Sequence, residues 1–356
     1  MECAICYDKI AEGAGYNKWN CTHDFHENCV IYWNKSCPIC RCKDKNKDVL
    51  YKNPEIVTLR GHTSRVTCLI YHEEKLYSGS WDKTIRIWDT ETYEIIETLE
   101  GHTDSVVCLT IHEEKLYSGS WDNTIRIWDT ETHEQIAILR GHNKGLECLT
   151  IHENKLYSGS RDGTIRIWNT ETHKSITTLI GVDTRQLNCL IAHDNKLFSG
   201  GYNEVIRIWD PVTYEKSFWN IDSLWDLIIS ESFWTTETYE TIATLEGHVG
   251  AVTCLTVYDN KLYSGSHDNS ICVWNTETHE EIEDLRGHTD SVTCITHHDN
   301  KMYSGSDDKN IYIWDTETYE EIAIFRGHTL GVRCLTIHEN KLYSGSADHT
   351  IRVWNV

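Results

Sequence analysis

Seven glycines, Gly61, Gly101, Gly141, Gly181, Gly247, Gly287 and Gly327, open copies of one unit at spacings of 40, 40, 40, 66, 40 and 40 residues. A period of this length means an array of supersecondary units, and it constrains the fold more than any local pattern does. The second copy reads G-H-T-D-S-V-V-C-L-T-I-H-E-E-K-L-Y-S-G-S-W-D-N-T-I-R-I-W-D-T-E-T-H-E-Q-I-A-I-L-R. Apolar and polar residues alternate over 106–111, 125–128 and 136–139, with turn chemistry at Ser118-Gly119-Ser120 and Trp121-Asp122-Asn123. Period two predicts strands and no helix. Four short strands per copy make a small sheet that cannot bury both faces alone, so the copies must pack face to face around an axis.

The Gly-His opening and Trp-Asp close of each unit resemble the WD-repeat family of β-propellers, over about residues 54–356. The resemblance implies an all-β, seven-bladed ring in which a His, a Ser, an Asp and a Trp hydrogen-bond inside each blade. The matching residues are His62, Ser78, Asp82 and Trp88, then His102, Ser118, Asp122 and Trp128, then His142, Ser158, Asp162 and Trp168. Three later copies give His248, Ser264, Asp268 and Trp274; His288, Ser304, Asp308 and Trp314; and His328, Ser344, Asp348 and Trp354. The copy from Gly181 has Val182 for His and Asn203 for Asp, so its blade is expected to be the loosest. Ser, His and Asp together also spell a hydrolase triad, but catalysis needs one triad in one cleft, and recurring copies read as structure. In the family the first strand completes the last blade; residues 55–59 repeat the pattern of a closing strand, and none follows Val356.

The 66-residue spacing exceeds a repeat by 26, which places an irregular insertion near 211–246. Trp234 to Glu240 (W-T-T-E-T-Y-E) echoes Trp88 to Glu94, and 223–229 resembles a first strand, as though an eighth repeat had lost its middle. Four strands with turns need nearly the full 40 residues, so seven blades are expected, with eight as the alternative. Phe218, Trp219, Trp225, Phe233 and Trp234 either fill this region or form an exposed patch.

Residues 1–42 form a separate, cysteine-rich head, joined to the repeats by a charged linker, 43–53. Its ligand spacing is Cys3-x2-Cys6, fourteen residues, Cys21-x-His23-x2-His26-x2-Cys29, seven residues, then Cys37-Pro38-x-Cys40. Eight such ligands make two closed tetrahedral zinc sites. A segment of this size with few apolar residues needs metal for much of its stability. The spacing resembles the two-histidine RING finger, which implies Cys3, Cys6, His26 and Cys29 around one zinc and Cys21, His23, Cys37 and Cys40 around the other. The same resemblance implies that Ile5, Trp33 and Pro38 dock a ubiquitin-conjugating enzyme and that Arg41 bridges this enzyme and ubiquitin, a task suited to a rigid fork of donors. The layout is similar to TRAF-related ligases that end in a WD-repeat propeller. It implies a ligase in which the RING recruits charged conjugating enzyme and the propeller binds substrate. The alternative is a non-catalytic scaffold with a structural zinc finger.

Charge and cysteine usage set the remaining bounds. The formal net charge is -22, while residues 1–50 carry seven acidic and seven basic side chains, so the excess lies on the repeats and makes nucleic acid and anionic membrane poor partners. Of 15 cysteines, seven lie in the head, and seven recur at one repeat position: Cys68, Cys108, Cys148, Cys189, Cys254, Cys294 and Cys334. With no apolar run of spanning length, this predicts reduced thiols in a soluble cytoplasmic or nuclear chain. The residues before the turn aspartates, Trp81, Trp121, Arg161, Tyr202, His267, Asp307 and Ala347, are expected on the top rim, beside Thr67, Val107, Glu147, Asn188, Thr253, Thr293 and Arg333. Only Arg161 and Arg333 resemble the arginines with which propellers read phosphorylated degrons. The expected substrate is therefore a basic, unphosphorylated segment on Trp81 and Trp121, with Tyr202, Arg161 and Arg333 as further candidates.

Overall fold

The computed structural model describes residues 55–179, 186–214 and 236–356, and every regular element within them is a strand. The strands form seven four-stranded antiparallel sheets, so the ring has seven blades and not eight. Blade 1 is β2 (Val66–His72), β3 (Lys75–Ser80), β4 (Ile85–Asp89) and β5 (Ile95–Leu99), paired in that order. β1 (Glu55–Arg60) pairs with β28 (Thr350–Asn355), from Glu55 opposite Trp354 to Arg60 opposite Thr350, and completes blade 7. The first strand of the ring thereby covers the edge that the last would leave open.

Strand direction sorts the connections onto two faces. The Gly-His loops and Trp-Asp turns lie on one face, here the upper; the turns between the first and second and between the third and fourth strands lie on the lower. The lower turns 73–74, 194–195 and 259–260 hold positive φ at both residues (46° and 60°, 47° and 59°, 50° and 54°), the mirror-image turn whose twist matches the flanking strands. The chain enters β1 from the lower face of blade 7.

Seven apolar clusters fill the ring, each bridging two neighbouring blades. At the junction of blades 1 and 2, Tyr77, Ile85, Ile87 and Leu99 pack on Val106, Leu116 and Trp128. The recurring cysteine is part of this packing. A Cβ on Gly79 would lie 2.5 Å from Cys68 Sγ and 2.8 Å from Val106 Cγ1 of the next blade, so only glycine lets the two blades close. Burial pushes the Cys68, Cys254 and Cys294 thiols up to about 12, which leaves them small apolar side chains and not nucleophiles.

The polar network is complete in six blades. His Nδ1 lies 2.7–2.9 Å from the Asp carboxylate. His Nε2 lies 2.7–2.8 Å from the Ser hydroxyl. Trp Nε1 donates to the same hydroxyl at 2.7–2.9 Å. One tautomer satisfies all of them: Trp N–H to Ser oxygen, Ser O–H to His Nε2, and His Nδ1–H to Asp. The Asp also accepts from the backbone after the His, as Asp82 does from Thr63 N at 3.0 Å, so the loop and turn of the upper face are tied together.

Blade 4 departs from the others. Trp209 Nε1 still donates to Ser199 Oγ at 2.8 Å, while Val182 at the His position lies outside the described residues. Its outer hairpin, β16 (Val205–Tyr214) and β17 (Thr236–Glu246), is longer than in the other blades and continues to Tyr214 opposite Thr236. The sequence T-E-T-Y-E, which turns in blade 1, is strand here. In blade 1, Asp89 Oδ1 accepts from Glu91 N at 2.9 Å and Thr92 N at 2.7 Å and nucleates the turn. The matching residue in the insertion is Thr235, which has no carboxylate, and Val212 and Thr213 offer a β-branched partner strand. The first-strand resemblance at 223–229 and the aromatics Phe218, Trp219, Trp225, Phe233 and Trp234 lie outside the described residues.

Candidate functional site

The upper face gathers side chains that no blade needs for packing. Backbone bonds fix each of them: Trp81 N donates to Arg65 O at 3.0 Å, Trp121 N to Ser105 O at 3.0 Å and Arg161 N to Gly145 O at 2.9 Å. These bonds hold the turns of blades 1 to 3 against the loops that precede the inner strands, so the three side chains stand in a row. Trp81 and Trp121 touch, with ring centroids 5.0 Å apart and planes inclined at 52°. Arg65 Cζ lies 4.5 Å from the Trp81 ring centre, and Arg161 Cζ lies 4.0 Å from that of Trp121. Gly145 sits under Trp121, where an added Cβ would be 2.8 Å from Cδ1 and 3.0 Å from Cα. That glycine is required by close approach.

The arginines expected to read a ligand have partners within the ring. Arg161 Nε pairs with Glu147, whose carboxylate also accepts from Gln186 at 3.3 Å. Burial raises the Glu147 carboxyl above its usual range, and the charge and hydrogen bond of Arg161 oppose that shift. Arg333 Nη2 pairs with Asp307 Oδ1 at 2.6 Å. Tyr202 is 44% exposed and meets His267 edge-on at 6.1 Å. Ala347, expected on the rim, is buried at 4% exposure, because a methyl group there has nothing to reach for. Thr67, Thr253, Thr293 and Asn188 turn sideways and donate to the inner-strand carbonyl of the next blade, Thr67 to Val106 O at 2.6 Å. They serve ring cohesion.

The structure thus brings Trp81, Trp121 and Arg161 together and leaves Tyr202 and Arg333 in separate groups. It adds one residue that the sequence reading missed, Arg65. The signal was present: the position before the inner strand is Arg in the first copy, where Ser105, Gly145, Gln186, Ala251, Ser291 and Gly331 stand elsewhere. Among the described residues no group of three or more His, Cys, Asp or Glu is arranged to hold a metal. The eight zinc ligands Cys3, Cys6, Cys21, His23, His26, Cys29, Cys37 and Cys40, with Ile5, Trp33, Pro38 and Arg41, lie outside the described residues.

Comparison with known proteins follows the same division. The family model described as WD domain, G-beta repeat matches residues 53–89, 93–129, 133–169, 239–275, 279–315 and 319–355; the stretch with Val182 and Asn203 falls between these matches. The model described as Ring finger domain matches residues 1–41. A curated relative from Drosophila melanogaster, the E3 ubiquitin-protein ligase RNF181 homolog, is 38% identical over 55 residues, 15% of this chain and 37% of that protein. Human E3 ubiquitin-protein ligase RNF126 is 39% identical over 44 residues, 12% of this chain and 14% of the relative. The probable E3 ubiquitin ligase complex SCF subunit sconB of Emericella nidulans is 50% identical over 44 residues, 12% of this chain and 6% of that protein. The chain therefore spans well under two thirds of the length of these relatives. Among solved structures, the computationally designed Ika8 protein superimposes with a TM-score of 0.64 at 25% identity, over 85% of this chain and all of that one. On the six matched repeats and the blades they form, the chain belongs to the WD domain, G-beta repeat family, with a Ring finger domain matched at residues 1–41.

Proposed function

We propose that this chain is a RING-type ubiquitin ligase whose propeller receives the protein to be modified. The observation that carries the reading is the Ring finger match at residues 1–41, on the segment that resembles ubiquitin ligases, joined to a complete protein-binding ring. In this reading no residue of the chain attacks substrate. Ile5, Trp33 and Pro38 dock the conjugating enzyme, Arg41 holds the linked ubiquitin in a reactive pose, and rate comes from holding thioester and lysine together.

The eight-residue donor set fits zinc, since thiolate and imidazole at these spacings close two tetrahedral sites. Zinc would supply folding energy and no step of the transfer. Native mass spectrometry of residues 1–50 should show two zinc ions, and a chelator should unfold this segment while the propeller's melting curve stays in place. One ion or none would remove the basis for the docking residues.

Tether length supports cooperation between the two parts. The chain enters β1 at the lower face of blade 7, next to blade 1, which carries Trp81. Residues 43–54 span at most about 40 Å when extended. A blade of six-residue strands is about 20 Å deep. The head can therefore reach a protein held on either face.

Single-turnover discharge of a charged conjugating enzyme tests the assignment. Ile5→Ala or Trp33→Ala should remove stimulation of discharge with zinc content unchanged. Arg41→Ala should keep enzyme binding and slow discharge roughly tenfold or more. Discharge at the unmodified rate in all three variants would leave only the scaffold reading.

A further inference from the structure

We propose that the upper face of blades 1 to 3 docks an acidic polypeptide segment that carries a large apolar side chain, a partner class that rests on the receptor role assigned above to the propeller. The solvent-facing charges of this patch oppose the charge of the molecule. In a chain of net charge -22, the row Arg65, Trp81, Trp121 and Arg161 is flanked by exposed Lys83 and Lys144. Lys83 stands in the turn that carries Trp81, and Lys144 precedes the glycine packed under Trp121. Two acids stand at the surface of this row, while the turn carboxylates Asp82, Asp122 and Asp162 lie beneath it, at 6–9% side-chain exposure, against His62, His102 and His142. Glu147 is taken by Arg161, and Asp104 accepts from the backbone of Ser105 at 2.7 Å. Arg65 has no ion pair among the described residues.

This arrangement favours a ligand of the opposite charge to the basic segment expected from the sequence. Guanidinium groups of the chain itself already lie over Trp81 and Trp121, so an incoming cation would meet both an occupied ring and a cationic rim. A carboxylate meets the reverse situation. Stacking on Trp81 holds the Arg65 guanidinium in place, and its N–H groups donate forked, charge-assisted bonds to a carboxylate. The paired indoles offer the apolar area that an aromatic or aliphatic anchor beside that carboxylate would cover. Blades 6 and 7 make a contrast on the same face, because Arg333 there is paired with Asp307 and Asp290 is exposed.

Panning the full chain against a phage-displayed random dodecapeptide library, followed by titration of the synthetic consensus peptide, tests the proposal. Enriched peptides should be rich in Asp and Glu with one large apolar residue, and their binding should weaken as salt rises. Arg65→Ala, and separately Trp81→Ala with Trp121→Ala, should weaken the consensus peptide roughly tenfold or more. Lys83→Glu, an exposed change that leaves packing alone, should weaken it in the same direction, and melting curves of every variant report whether the ring is intact. Enrichment of basic or neutral peptides, no enrichment, or acidic peptides that bind all three variants unchanged would each overturn the proposal. No ubiquitin chemistry enters the assay, so its outcome is separate from that of the discharge experiment.

Discussion

Removal of residues 1–60 should abolish the single sharp melting transition of the propeller, whereas removal of residues 1–54 should preserve it. The six residues that separate these truncations are β1, which supplies the outer strand of blade 7. Their loss takes Leu59, buried at 4% exposure, from the cluster that joins blades 7 and 1, and exposes the β28 edge beside Trp354, which is fully buried in the closed ring. The Arg352–Glu55 ion pair goes with it. Two apolar side chains at about 1.5–3 kcal/mol each and a run of ladder hydrogen bonds at about 1 kcal/mol each make a loss of roughly 5 kcal/mol or more. That is a large part of the 5–15 kcal/mol typical of a whole domain. The expected result is a broad transition at lower temperature with dye-accessible apolar surface. Superimposable melts for the two truncations would show that closure by β1 contributes little.

The second large effect is expected inside a blade. Asp122→Ala should destabilise the ring by about 3 kcal/mol or more, because it leaves His102 and Thr124 in a buried network without their acceptor. In a protein of this size that is a fall in Tm of roughly 5 °C. The same carboxylates set the acid limit. Burial alone would raise them, but hydrogen bonds from His, Thr or Ser side chains and the backbone outweigh it. Asp82, Asp122, Asp162 and Asp348 therefore lie well below the usual range, Asp308 is lowered, and Asp268 lies at about 2. A folded-state value below the unfolded one, about 3.9, contributes stability that is present above that pH and lost as pH falls through the folded value. Melting temperature should thus fall steeply below about pH 4, and less steeply in Asp122→Ala. An acid limb of unchanged slope in that variant would show that the network is not what titrates.

What could be read from the sequence was whatever repeats. Blade number, strand order, closure by the strand at residues 55–59 and the His-Ser-Asp-Trp network all follow from a pattern that recurs at a fixed spacing, because an array leaves one way to bury the sheet faces. The small-core role of Cys68 and its equivalents was legible for the same reason. What escaped depends on single substitutions. T-E-T-Y-E turns after Asp89 and pairs as strand after Thr235, a difference of one capping carboxylate that the echo of the motif conceals. The arginine over Trp121 could not be foreseen from alternation, since residue 161 reaches residue 121 only once blades 2 and 3 are side by side, whereas Arg65 reaches Trp81 within blade 1. Those contacts are what the proposal of an acidic ligand rests on.

Ubiquitin transfer in a reconstituted system tests the central claim most directly. The full chain, loaded with zinc, is incubated with activating enzyme, ubiquitin, ATP and a panel of conjugating enzymes, and its own modification is followed by gel. The account predicts ubiquitin ladders on the chain with at least one member of the panel, and none with Trp33→Ala. A zinc-loaded chain that stays unmodified with every conjugating enzyme, while a control ligase is active with them, would contradict it.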